Sequence, residues 1–255
     1  MIEIILVGGY GRMGKAIREV IDTKQYPVKI GSLVVEKKDE DIGIPVYESI
    51  DEALEHTLPS PCVVIDFSTP KTTLDILPIV SQYNLALVIG TTGFTSEERD
   101  IVTSYSSKIP ILLSSNMSRG ITALLRFLPM LVKYLGEEYD SEIVEIHHKH
   151  KKDAPSGTAL SLVQSIYTAK EWSEDVLCYH REGIIGERQK EEIGMQTLRG
   201  GGATGTHSIF FFGEDEQIEI THTAYSRKSF ARGAIQAALW LYGRPASLYS
   251  MLDME

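Results

Sequence analysis

Short, almost wholly apolar runs recur through the first half of the chain at Ile2–Val7, Ile30–Val35, Val63–Phe67, Leu85–Ile89 and Ile109–Leu113. Their length and β-branched content predict strands buried on both faces of a parallel sheet. Between them the apolar positions take helical spacing, as at Ala16, Val20 and Ile21 after the first run. Thr95-Ser96-Glu97-Glu98 has the form of a capping box and predicts the start of one of these helices. Strand and helix in alternation predict a doubly wound α/β sheet with right-handed crossovers.

From Ile121 the pattern changes. Ala123, Leu124, Phe127, Leu128, Leu131, Val132 and Leu135 predict one long helix, and Ser141–Ile146 a strand. Ser156 is placed to cap a helix whose apolar positions are Ala159, Leu160, Val163, Ile166 and Tyr167. Met195–Leu198, Ser208–Phe212 and Gln217–Thr221 then follow with no helix between them, which predicts a mixed or antiparallel sheet in a second, α+β domain. A last helix, Phe230–Tyr242, is expected to return to the first domain. The expected division is 1–118 with 228–255 for one domain and 119–227 for the other.

Composition narrows the class. The 255 residues carry a formal net charge of -10, with 43% hydrophobic and 24% charged residues, as in a globular protein with ample core. That acidity argues against a nucleic-acid partner, which needs a broad basic surface. No apolar run reaches membrane-spanning length, and no membrane role is expected. Cys62 and Cys178 match no metal spacing and read as free thiols of a reducing compartment, hence the cytoplasm.

The first strand runs into Gly8-Gly9-Tyr10-Gly11-Arg12-Met13-Gly14, which fits both a Gly9-x-Gly11-x-x-Gly14 frame and a looser Gly8-x-x-Gly11-x-x-Gly14 one. Such a turn lets backbone approach a pyrophosphate at a helix N-terminus; without a ligand it is simply a tight turn. Here it follows a strand, opens a helix and precedes an acid, Glu36, 22 residues beyond Gly14, which favours a Rossmann-type dinucleotide site. Glu36 suits the ribose hydroxyls of NADH, whereas Lys37 and Lys38 suit the extra phosphate of NADPH or belong to a solvated turn running to 41. Gly90-Thr91-Thr92 and Ser114-Ser115-Asn116-Met117 stand at two further strand ends and fit a nicotinamide ribose and carboxamide, or plain turns. Asp66-Phe67-Ser68-Thr69-Pro70 at a third is a weaker candidate.

The strongest chemical signal is the cationic island His147-His148-Lys149-His150-Lys151-Lys152, followed by Asp153-Ala-Pro-Ser-Gly157-Thr158. His is readily poised as an acid or base near neutrality, and Lys adds a positive donor. On a straight strand His147 and Lys151 would stand ~13 Å apart, so both reach one small substrate only if the chain bends after His148. Gly157 and Thr158 fall in the first helical turn, where free amides grip a carboxylate. Two other readings stay open at this point: a solvated basic run, and a zinc site through His148 and His150 that lacks a third ligand. The loop Arg199–Gly205 is either a hinge or lid or a plain surface loop. A dinucleotide-sensing regulator would share the glycine turn but gives no reason for the island.

Together, Gly8-x-x-Gly-Arg-Met-Gly14, Gly90-Thr-Thr-Gly-Phe94, Glu145-Ile-His-His-Lys-His-Lys151, Asp153-Ala-Pro-Ser-Gly-Thr-Ala159, Arg199-Gly-Gly and Ile218-Glu-Ile-Thr-His222 closely resemble the 4-hydroxy-tetrahydrodipicolinate reductase (dihydrodipicolinate reductase) family. The resemblance spans nearly the whole chain. It implies NADH- or NADPH-dependent reduction of a cyclic dicarboxylate in the lysine and diaminopimelate pathway, with loss of water and without a metal. It implies His147 as proton donor and acceptor, Lys151 as a second donor, His148 as a substrate contact, and Gly157 and Thr158 as the carboxylate site. Cofactor contacts carry over to Gly8, Gly9, Tyr10, Gly11, Arg12, Met13, Glu36, Lys37, Gly90, Thr91, Thr92, Ser114, Ser115, Asn116 and Met117. A homotetramer built through the second domain is implied as well. Departures are mild: Gly9 replaces the usual Ala, Tyr10 puts a bulky side chain in the glycine turn, Lys37 stands where some members have Arg, and Gly202-Ala-Thr-Gly-Thr differs from the commoner acidic loop.

Overall fold

A computed structural model describes residues 1–38, 42–57 and 61–254; the end of the solvated turn, 39–41, lies outside them. The elements run β1 (Ile2–Val7), α1 (Arg12–Asp22), β2 (Val28–Val34), β3 (Val46–Tyr47), α2 (Ile50–Thr57), β4 (Cys62–Asp66), α3 (Pro70–Gln82), β5 (Ala86–Ile89), α4 (Ser96–Tyr105) and β6 (Pro110–Leu113). Then come α5 (Arg119–Leu135), β7 (Asp140–His147), α6 (Gly157–Ala169), β8 (Leu177–Cys178), β9 (Ile193–Arg199), β10 (Thr206–Phe212), β11 (Gln217–Thr223), α7 (Lys228–Leu241) and β12 (Ser247–Tyr249). They form two compact units, Met1–Arg119 with Arg227–Glu255, and Gly120–Ser226.

The first unit is a parallel seven-stranded sheet in the order β12-β6-β5-β4-β1-β2-β3. Alternate strand residues feed two cores, as a doubly wound sheet requires. Ile4, Leu6, Val63, Ile65, Val88 and Leu112 pack with α1 and α7 on one face. Ile5, Val7, Val64, Leu87, Ile89 and Ile111 pack with α2, α3 and α4 on the other. The small residues Ala231, Ala234, Ala237 and Ala238 let α7 lie close to the sheet, and a side chain at Gly233 would strike the Met117 carbonyl. The capping box at the start of α4 forms as expected: Glu98 N donates to Thr95 Oγ1 at 3.2 Å and Thr95 N to Glu98 Oε2 at 2.9 Å. Strand order reverses between β1 and β4, so a crevice opens beyond their carboxyl ends.

The second unit is a mixed five-stranded sheet, β11-β10-β7-β9-β8. β10 runs antiparallel to β7 and β11, while β7, β9 and β8 are parallel. Leu128 and Val132 of α5 and Ala159, Leu162, Val163 and Ile166 of α6 cover one face, against Ile143, Ile193, Met195, Ile209 and Phe211. Along β7 the buried positions alternate as Ser141, Ile143, Glu145 and His147, so this covered face turns polar toward its end. Val144, Ile146, Leu198, Phe210 and Phe212 have the opposite parity and point away from α5 and α6. Both cysteines are free. Among the described residues no helix is long and apolar enough to cross a membrane.

Candidate active site

In the first unit the glycine turn is shaped by close backbone approach. Gly8 has φ +78°, a conformation that favours glycine, and a side chain there would strike the Phe67 carbonyl. A side chain at Gly14 would meet the carbonyls of Gly8 and Gly9, so the turn folds tightly onto α1. Gly9 has a local reason too: a Cβ would lie 2.9 Å from Leu33 Cβ. Gly11 caps α1 with no side-chain hydrogen bond, leaving the first-turn amides for a ligand's oxygens.

Beside this turn is a cavity of about 710 Å³, within the range of nucleotide-sized pockets. Gly8, Tyr10, Gly11, Glu36 and Lys37 line it, with Phe67, Ser68 and Thr69 of the weaker third strand end; Glu48, Lys71 and Thr72 join them, which the sequence reading did not name. Lys71 and Thr72 lie in the first turn of α3, where a ligand at the strand ends would meet them. The remaining expected residues are not in that lining. Met13 packs against the core, Gly9 against Leu33, and Arg12 is exposed at the start of α1. Gly90, Thr91 and Thr92 follow β5, and Ser114 to Met117 follow β6, on the same edge of the sheet.

The Thr91 hydroxyl is committed to the protein: it donates to Asp66 Oδ2 at 3.2 Å and accepts from Ser68 N at 3.1 Å. Ser114 Oγ donates to Asn116 O at 2.7 Å, Ser118 N donates to Asn116 Oδ1 at 2.8 Å, and the Met117 side chain is core. These side chains shape the loops, while those of Thr92 and Ser115 are exposed. Asp66 is fully buried and accepts from Ser68 Oγ at 2.5 Å, Ser68 N at 3.0 Å, and Thr73 Oγ1. Burial raises its carboxyl above the ordinary aspartate value despite these neutral donors.

In the second unit the island is bent, as sharing one substrate between His147 and Lys151 requires. Lys151 N donates to His148 O at 3.1 Å, closing a turn directly after β7. The Arg199–Gly205 loop is paired with this turn: Gly200 N donates to His147 O at 3.0 Å and His148 N to Ala203 O at 2.8 Å. It therefore braces the island. Lys151 Nζ donates to both Asp153 carboxylate oxygens at 2.9 Å, and Lys149, His150 and Lys152 are exposed or partly so. Of the cationic run only part is a solvated face.

His147 is 8% exposed and its Nδ1 is hydrogen-bonded to Glu145 Oε2. Glu145, two residues back on the same face of β7, is 0% exposed. Arg199, directly across from His147 in the β7–β9 register, grips it with Nη2 on Oε1 at 2.8 Å and Nη1 on Oε2 at 2.9 Å. Thr197 Oγ1 and Ser156 N each donate to Oε1 at 3.1 Å. Burial opposes the charge on Glu145, but Arg199 and His147 outweigh it and hold the carboxyl down at about 2. For His147, burial pushes proton affinity down, Glu145 pulls it up, and Lys151 and Arg199 push it down again; the net direction is below an ordinary imidazole.

Ser156 caps α6, its Oγ accepting from Ala159 N at 3.1 Å, as its position in the sequence predicts. Its hydroxyl is also hydrogen-bonded to His207 Nε2 at 3.0 Å, and His207 meets His147 edge-on with ring centroids 5.2 Å apart. Burial and the neighbouring His147 lower His207 to about 4, so it is neutral at neutral pH. Gly157 opens onto space, with nothing within 4 Å of where a side chain would project. Gly157 and Thr158 thus present the amide end of α6 at the Ser156 cap. His148 is half-buried beside His150, with ring centroids 6.3 Å apart. Among the described residues no three His, Cys, Asp or Glu side chains gather as a metal site. Glu145, Arg199, Thr197 and His207 form a polar network with Ser156; of these the sequence reading assigned a role only to Ser156, as the cap of α6. An acid at a buried-parity position two before His147 was the available signal for Glu145.

Comparison with known proteins accounts for the whole chain. The family model described as dihydrodipicolinate reductase, N-terminus, matches residues 2–117, and that for the C-terminus matches 120–254. The 4-hydroxy-tetrahydrodipicolinate reductase of Lawsonia intracellularis is 42% identical, covering 99% of each chain. That of Nitratidesulfovibrio vulgaris is 44% identical, covering 99% of this chain and 98% of its own. Among solved structures, a dipicolinate-bound dihydrodipicolinate reductase from Paenisporosarcina sp. TG-14 matches over 100% of both chains, with TM-score 0.79 and 24% identity. A C. glutamicum DAP dehydrogenase in complex with DAP matches 99% of this chain and 93% of its own, with TM-score 0.59 and 11% identity, a likeness of fold.

Proposed function

The chain belongs to the dihydrodipicolinate reductase family, and we propose that it reduces 4-hydroxy-tetrahydrodipicolinate to tetrahydrodipicolinate with loss of water, drawing the hydride from NADH or NADPH, in lysine and diaminopimelate biosynthesis. The tight turn at Gly8 and Gly14 and the neighbouring cavity fit the cofactor's phosphates and adenosine. Both Glu36 and Lys37 line that cavity, which supports use of either cofactor: the acid for free ribose hydroxyls, the ammonium for a 2′-phosphate.

The observation that carries the catalytic reading is that one buried carboxylate, Glu145, is bonded both to His147 and to the Ser156 amide at the start of α6. A proton-carrying imidazole and an anion-binding helix turn therefore belong to a single construction. Hydride addition leaves an electron-rich ring carbon that takes one proton, and His147 is the group we assign to deliver it. Gly157 and Thr158 receive a ring carboxylate at the amide end of α6. His148 contacts the ring, and Lys151 supplies the second positive donor once a substrate carboxylate competes with Asp153 for it.

Val144, Ile146, Leu198, Phe210 and Phe212, on the sheet face turned away from α5 and α6, support assembly through the second unit into a homotetramer. The biosynthetic role supports a cytoplasmic setting. The purified protein should oxidise NADH or NADPH only when freshly generated 4-hydroxy-tetrahydrodipicolinate is supplied. His147→Gln should lower kcat by ~10²–10⁴ with dinucleotide affinity unchanged. Unimpaired turnover in that variant would remove His147 from the mechanism.

A further inference from the structure

Among the groups of the second unit, Glu145 combines complete burial with full charge. Its Oε1 accepts from Ser156 N, Thr197 Oγ1 and Arg199 Nη2, and its Oε2 from Arg199 Nη1 and His147 Nδ1. A buried carboxyl without a cation would take up a proton; the two-pronged guanidinium keeps this one ionised. An ionised carboxylate only accepts, so the proton it shares with the imidazole resides on Nδ1. A second observation concerns the other ring nitrogen. A side chain at Gly205 would bring its Cβ within 2.9 Å of His147 Nε2, and glycine leaves that approach clear.

We propose that Glu145, gripped by Arg199, is the positioning residue of the proton-transfer site: it locks His147 as the Nδ1–H tautomer, makes Nε2 the atom that gives up the proton, and through the Ser156 amide keeps that nitrogen in register with the first turn of α6. The proposal rests on the reading of His147 as the general acid. Glu145 itself touches neither substrate nor cofactor; it acts through the imidazole and the helix cap.

The charged and titratable groups around His147 define what the test must read. Glu145 stands on its own strand, Arg199 on β9, His207 on β10 with His222 opposite it on β11, and Lys151 with its partner Asp153 on the following turn. Glu145 is the anion bonded to the ring, against two cations and burial. Removing that charge lowers the proton affinity of His147. A general acid works in its protonated form, so activity falls as pH rises through its pKa, and this fall then begins at lower pH.

The test is a set of pH profiles of kcat and KM for Glu145→Gln beside Thr197→Val, which removes one hydroxyl from Oε1 and leaves the charge. For Glu145→Gln we expect the falling limb of kcat to move down by about one pH unit or more, with kcat near neutrality reduced ~10-fold or more. KM for the cyclic dicarboxylate should rise, because the helix cap loses its charged acceptor. Thr197→Val should leave the limb in place. An unshifted limb in Glu145→Gln, or equal shifts in both variants, overturns the proposal. Should Glu145→Gln fail to fold, ring ¹⁵N shifts of histidine-labelled native protein decide the matter: a pyrrole-type Nδ1 and pyridine-type Nε2 at His147 uphold it, and the reverse overturns it. An active His147→Gln enzyme would instead strike the underlying reading, so the two failures are distinguishable.

Discussion

The two units each bury an acid at the end of a strand, Asp66 on β4 and Glu145 on β7, and both are 0% exposed. Both are amply hydrogen-bonded. Yet burial raises the Asp66 carboxyl, while that of Glu145 is held at about 2. The difference lies in the donors. Serine and threonine hydroxyls and one amide surround Asp66, whereas a guanidinium and an imidazole face Glu145. Depth of burial does not decide whether an acid is ionised; the charge on its partners does. Asp66 is thus a knot tying the ends of β4 and β5 and the start of α3, and Glu145 is a fixed negative charge set against a proton carrier.

The sharpest way to break this contrast is to strip Glu145 of its cation. Arg199→Met leaves a buried carboxylate facing only neutral donors and His147, and should cost ~3–5 kcal/mol of unfolding free energy by urea denaturation. A loss below about 1 kcal/mol would mean that the pair is poorly coupled to the fold.

Acid titration of stability comes next in size, and the two acids should move it in opposite directions. Glu145 has a folded value of about 2 against an ordinary 4.5, so its contribution is complete above about 4.5 and drains away as pH falls toward 2. That contribution is on the order of 3 kcal/mol. Asp66 is raised above 3.8, so its contribution is present below about 3.8 and is withdrawn as pH rises past that value. Comparing the native protein with Glu145→Gln and Asp66→Asn over pH 3–6 should flatten one slope in each variant; parallel curves would refute the contrast.

The smallest effect expected is that of Asp66→Asn itself at neutral pH. The amide oxygen retains the Ser68 N–H, and the Thr73 and Thr91 hydroxyls can turn to accept from the amide nitrogen. Thr73 Oγ1 already has the Thr69 carbonyl within 3.1 Å as an alternative acceptor. The change in unfolding free energy should stay under about 1 kcal/mol.

Much of this is legible in the chain alone. The apolar runs at Ile2–Val7 and Val63–Phe67 gave strands β1 and β4 to within a residue, and the box at Thr95 and Glu98 gave the start of α4. β3, β8 and β12 escaped notice because two or three residues cannot display a period. In the island, positive charge drew attention from the acid beside it. Period-two alternation along β7 puts Glu145 on the face of His147, and that was readable. Arg199 was not, because its place opposite His147 depends on the parallel β7–β9 register, which no local pattern encodes. Lys71 and Thr72 are likewise brought to the glycine turn only by the order of strands in the sheet.

The return of α7 and β12 to the first unit bears on how the protein is made. A nascent chain that has reached Ser226 contains all of the second unit, but its first sheet still lacks an edge strand, and Ile4, Leu6, Val63 and Ile65 lack one of the two helices that cover them. The inserted unit can mature on the ribosome while its host waits, for on the order of a few seconds at ordinary elongation speeds, with that sheet face only part-covered. A segment translated after the inserted unit closes the sheet begun before it, so removing α7 and β12 should damage the amino-terminal half before it touches the middle.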